Sequence, residues 1–179
     1  MRKFTLILSL AVLALFIFST MSVAADHQYV GVSKCKACHG TKTGDQFKIW
    51  SESAHANAYT VLASDEAKAV VAKLKLEGDP QKLDECLSCH VTAHGVDAKL
   101  LAESYTVEDG VGCESCHGPG SDYRKFSVMK DQAKAVAAGM LIPDEKTCIQ
   151  CHNDKSPTYK EFDFKKFYAK IAHPIPTEE

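Results

Sequence analysis

Four short motifs dominate the sequence: Cys35-Lys36-Ala37-Cys38-His39, Cys86-Leu87-Ser88-Cys89-His90, Cys113-Glu114-Ser115-Cys116-His117 and Cys148-Ile149-Gln150-Cys151-His152. The chain has 8 cysteines, and all of them fall in these motifs. Paired thiols at this spacing suit a zinc knuckle, a redox disulfide or covalent haem. A dithiol does not need a histidine after every pair, and zinc has no reason to fix one there. Covalent c-type haem needs all three residues. The two thiols add to the vinyl groups, and the adjacent imidazole reaches the iron. The sequence therefore predicts four covalent haem c groups, attached through Cys35, Cys38, Cys86, Cys89, Cys113, Cys116, Cys148 and Cys151. Their proximal iron ligands are His39, His90, His117 and His152.

Of the 8 histidines, four remain: His27, His55, His94 and His173. Their number equals the number of motifs, which permits two imidazoles on every iron. Methionine is the competing ligand. Met129 and Met140 are the candidates, and their apolar neighbours fit core packing instead.

The elements that must hold these residues read as helical and loop-rich. Phe47, Trp50, Ala54, Ala58 and Leu62 recur at helical spacing from Asp45 onward and carry His55 along with them. Ser64 caps a helix over 65–76, and Gly78-Asp79-Pro80 closes it. A short helix leads into Cys86, and 90–95 is a loop. Residues 99–105 read as a short helix or strand. Helices are expected over 122–138, ended by Gly139 and Pro143, and over 160–172, with Phe162, Phe167 and Ile171 as buried positions. No set of alternating strands is evident. The expected fold is mostly α, with little or no sheet, wrapped around four haems.

At the N-terminus, Arg2 and Lys3 precede an apolar run from Leu6 to Phe18, and Ser22-Val23-Ala24 forms a small-residue cleavage site. This predicts a secretory signal over residues 1–24 and a single mature domain over 25–179, periplasmic or extracellular, with no stable membrane anchor. Removing 24 of 179 residues leaves 155, too few for an ordinary apolar core around four macrocycles. Basic residues fall from 21 to 19 against 23 acidic, which gives no support to nucleic-acid binding.

Several stretches resemble the tetrahaem cytochrome c-554 family, whose type member accepts electrons from hydroxylamine oxidoreductase. "KCKACH" followed by "IWSESAHANAYTVL" is similar to its first haem and distal-ligand segment. "ECLSCHVTAHG" is similar to its second haem, "GVGCESCHGPG" to its third, and "CIQCH" with the Phe-rich end reaching His173 to its fourth. The resemblance implies that His55 lies opposite His117, that His173 lies opposite His152, and that the second haem, on His90, has an open iron.

The sequence departs from that family after Gly118-Pro119-Gly120. There the type member has a distal histidine for its first haem, and "SDYRKFSVMKD" contains none. His27 is extra, and His94 replaces an aromatic residue. With these added imidazoles, at least three haems and more naturally all four are expected to be six-coordinate. His94 lies too near His90 in sequence to round its own macrocycle, so it is expected on haem 1. His27 is then left for haem 2 or for a neighbouring molecule.

The function expected is electron transfer with redox partner proteins in anaerobic respiration. The alternatives are reduction of a small molecule such as nitric oxide at an open haem 2, and a homo-oligomeric haem wire.

Overall fold

The computed structural model describes residues 26–175. The expected signal segment, 1–24, lies outside the described residues. Among the described residues no helix is long and apolar enough to cross a membrane.

The architecture is helical and loop-rich. Nine short helices follow one another among the described residues: α1 (Val32–Lys36), α2 (Gln46–Ser51), α3 (Asp65–Lys73), α4 (Asp84–His90), α5 (Cys113–His117), α6 (Phe126–Met129), α7 (Gln132–Ala137), α8 (Glu145–Cys148) and α9 (Phe164–Ile171). The extended pairing is limited to one bridge between Tyr29 and Leu101 among those residues. This agrees with the mostly α fold read from the sequence.

Local chemistry explains the helix ends. Ser64 accepts a hydrogen bond from the Ala67 amide and starts α3 as expected. Asp131, Asp144 and Asp163 cap α7, α8 and α9 in the same way.

Helices are shorter than the sequence suggested: α3 ends at Lys73 and not 76, α9 spans Phe164–Ile171 and not 160–172, and two others break outright. The segment after α2 breaks into turns over 52–59, so His55 lies on a turn and not on a helix. The turn is held from outside: the His55 carbonyl accepts from the Val111 amide at 3.1 Å, and Trp50 Nε1 donates to the Val111 carbonyl at 2.8 Å. Gly110 makes this approach possible. Its φ is +63°, and a Cβ there would lie 2.8 Å from the His55 carbonyl oxygen. The segment expected as one helix over 122–138 is split at Asp131, whose side chain caps α7 and thereby ends α6.

The apolar core is thin. Val30, Val32, Ala58, Leu62, Val71, Val91, Tyr123 and Ala135 are buried, but no large side chain is fully enclosed among the described residues. Phe162 and Ile171 are half-buried, and Phe167 is exposed, contrary to the burial expected from their spacing. The segment 162–171 contributes a rim to the histidine cluster described next, not a wall of a protein core. A chain of this length cannot be stable on so little burial alone, so its polypeptide must pack on something larger than its own side chains.

Candidate haem centre

Each motif forms about one helical turn. Cys at i, Cys at i+3 and His at i+4 then fall on one face, as a planar group attached at two points and ligated at a third requires. Motif 3 is α5 itself, and motif 2 closes α4. In motifs 1 and 4 the histidine amide bonds back to the first cysteine carbonyl at 3.0 Å: His39 to Cys35, and His152 to Cys148.

The motifs are brought together in a definite order. The Cys35 and Cys113 thiols adjoin, which places motif 1 against motif 3. Cys116 lies near Cys148, joining motif 3 to motif 4, and Cys151 lies against Cys89, joining motif 4 to motif 2. The spatial order is 1–3–4–2. Among the described residues, no three His, Cys, Asp or Glu side chains converge as they would on a zinc ion.

Two of the spare histidines face proximal ones. The His55 and His152 ring centres are 6.0 Å apart, and those of His117 and His173 are 5.8 Å apart. Two imidazoles bound on opposite sides of one metal ion, each at about 2 Å, have ring centres about 6 Å apart. Both pairs therefore fit a haem plane between them. The pairing differs from the one implied by the family resemblance. His55 faces His152 and not His117, and His173 faces His117 and not His152. The turn carrying His55 is tied to the start of α5, but its ring points past that helix to motif 4. Phe162 stacks on His152, with centres 4.8 Å apart and planes 12° apart, and limits rotation of that ring.

Ring nitrogens are fixed by backbone acceptors. His90 Nδ1 donates to the Ala58 carbonyl at 2.6 Å, and His117 Nδ1 to the Leu141 carbonyl at 3.1 Å. A carbonyl can only accept, so Nδ1 carries the proton and Nε2 keeps its lone pair for a metal. His39 Nδ1 is buried without a hydrogen-bond partner among the described residues. Its neighbour Gln46 is already committed to the Thr43 and Pro174 carbonyls. Burial holds His39, His55, His117 and His152 below the ordinary histidine value and thus neutral, as iron ligation requires.

The remaining two candidates are placed differently. His94 Nε2 lies 3.1 Å from Asp84, at the start of motif 2's own helix, and not at motif 1 as expected. His27 Nδ1 lies 2.7 Å from Asp122. The sequence reading did not anticipate Asp122, nor Glu114. The latter is a buried carboxylate that accepts from the amides of Val30, Gly31 and Gly120. Its position inside motif 3 gave no signal, because the two residues between the cysteines are variable by nature. Asp122 lies in the stretch after Gly120 where the family has a histidine and this chain has none.

Known proteins resemble this chain in sequence. A family model described as cytochrome c554 and c-prime matches residues 34–118. A cytochrome c-554 of Nitrosomonas europaea is 33% identical over 168 residues, covering 84% of this chain and 68% of its own length. No solved structure matches the chain.

Proposed function

Because this chain belongs to the cytochrome c-554 family, whose members bind haem c covalently and transfer electrons, we propose that it is a periplasmic relay with four haems on its four motifs. When bound, each haem iron takes up and releases one electron. The observation that carries the reading is the pairing of imidazoles at haem-spanning distance within a continuous row of motifs. The chain's residues hold that row. Adjoining cysteine pairs bring motif 1 to 3, 3 to 4 and 4 to 2, so electrons enter and leave at motifs 1 and 2 and cross the centre through 3 and 4. His55 and His173 are the residues that would hold the haems of motifs 4 and 3 from the side facing His152 and His117, and their rings would exclude water there. Bis-imidazole ligation without methionine favours low potentials, which suits anaerobic respiration with protein donors and acceptors.

Intact mass of the exported protein tests the reading directly. Four haems on a chain beginning at residue 25, with four equivalents by pyridine haemochrome and no stoichiometric zinc, are expected. A smaller haem count overturns it.

A second reading is favoured at motif 2. No imidazole pairs with His90 among the described residues, and His94 is engaged by Asp84. His90 would then hold a haem whose far side no described imidazole covers, and that side could take a small ligand such as nitric oxide. On this reading the reduced protein binds one carbon monoxide per chain. On the relay reading alone, with every iron six-coordinate, it binds none.

A further inference from the structure

His27 stands on the arm that leads into motif 1. That arm is not loose. The Tyr29 amide donates to the Leu100 carbonyl at 2.8 Å, and the Ala102 amide donates to the Tyr29 carbonyl at 2.9 Å. Gln28 and Ser121 exchange two further bonds at 3.0 and 3.1 Å. With Nδ1 taken by Asp122, only Nε2 of His27 can bind a metal. The Nε2 edge rests over Gly139, where a Cβ would lie 3.1 Å from that nitrogen. Gly139 has a φ of +100°, so both the backbone and the ring favour glycine at this point.

The side on which this nitrogen lies can be read from its neighbours. Residues 139–141 belong to the His117 side of motif 3: the Leu141 amide donates to the His117 carbonyl at 2.9 Å, and His117 Nδ1 bonds back to the Leu141 carbonyl. His39 belongs to the opposite side. The loop after it packs on the residue that follows His173, with Gln46 Nε2 donating to the Pro174 carbonyl at 3.0 Å and Gly44 against the Pro174 ring. Motif 1 lies against motif 3 through Cys35 and Cys113. Around motif 1, His39 thus adjoins the His173 side and His27 adjoins residues 139–141 on the His117 side. His94 does not compete, since it sits at the start of α4 beside Asp84.

We infer that His27 is the sixth ligand of the haem 1 iron, supplied by the N-terminal arm, and that Asp122 is the positioning residue that holds its ring and fixes its tautomer. The assignment rests on the proposed attachment of a haem at motif 1. A carboxylate on Nδ1 makes the imidazole a stronger donor than a carbonyl does, and it keeps the arm closed over the iron.

The test uses the haem-loaded protein. His27→Ala is expected to keep the wild-type haem mass, to gain one high-spin ferric haem, and to bind one more carbon monoxide per chain when reduced. Added imidazole should restore the low-spin signal, and the paramagnetic shift of the Gln46 side-chain amide, beside His39, should change. Asp122→Asn is expected to stay low-spin while the midpoint of one haem rises and the others hold. That variant decides the question if His27→Ala cannot be recovered. Unchanged spin state and carbon monoxide uptake in His27→Ala, or unchanged midpoints in Asp122→Asn, overturn the assignment while leaving the four-haem relay intact. So does loss of wild-type low-spin signal on dilution, which places His27 on a neighbouring molecule. Absence of haem from Cys35 and Cys38 by peptide mass overturns both.

Discussion

Replacing His55 with alanine is expected to turn the haem on His152 high-spin, and replacing His173 to do the same to the haem on His117. Each change removes one of two strong-field ligands and admits water or carbon monoxide. The midpoint of the affected haem should rise by on the order of 0.1 V, a fraction of the range that axial ligands command. The effect is local, so a probe beside each proximal ring can tell the two haems apart. Phe162 stacks on His152, and the Leu141 carbonyl accepts from His117. Paramagnetic shifts at the Phe162 ring should change in His55→Ala, and those at Leu141 in His173→Ala. The opposite correspondence would restore the pairing first implied by the family resemblance and refute the one in the structure.

That pairing marks the boundary of what the residues alone could tell. The eight cysteines and the histidines that follow them were legible as candidate haem-attachment residues because such attachment fixes their spacing within one turn of chain. His55 and His173 were legible as candidate ligands, since spare imidazoles in such a chain have few other uses. Their partners were not, because the choice depends on how two turns meet in space. The His55 turn is set by Gly110 and Val111, more than fifty residues away in sequence, and nothing in its own apolar periodicity records that contact. The same periodicity overstated the helix. Phe47, Trp50, Ala54, Ala58 and Leu62 do share helical spacing, but Trp50 spends its indole N–H on Val111 and the chain turns away after Ser51. His94 failed for a related reason. The short reach from His90 correctly argued against its own haem, but it could not reveal the Asp84 carboxylate waiting at the start of the same helix.

Glu114→Ala is expected to cost the protein about 3–5 kcal/mol, the range for leaving buried groups without their charged partner. Glu114 is 4% exposed, and its two oxygens take the amides of Val30, Gly31 and Gly120 at 2.7–3.0 Å. It therefore fastens the N-terminal arm and the Gly118–Gly120 loop to motif 3 at once. Alanine strands three backbone donors out of reach of water. Hydrogen exchange at those amides should rise first, and denaturant unfolding of the haem-loaded protein should shift to lower concentration. Glutamine keeps one acceptor oxygen, so its loss should be smaller, but it removes the charge. Both the Cys35 and Cys113 sulfurs lie in the field of that carboxylate, between motifs 1 and 3. A buried negative charge favours ferric over ferrous iron. At a separation of roughly 8 Å and an effective dielectric constant near 20, its removal is worth about 2 kcal/mol per haem, or on the order of 0.1 V. Glu114→Gln should accordingly raise the two midpoints belonging to motifs 1 and 3 and leave those of motifs 2 and 4 nearly unchanged. A redox titration that moves all four together, or none, would show that the carboxylate acts only as a staple for the arm.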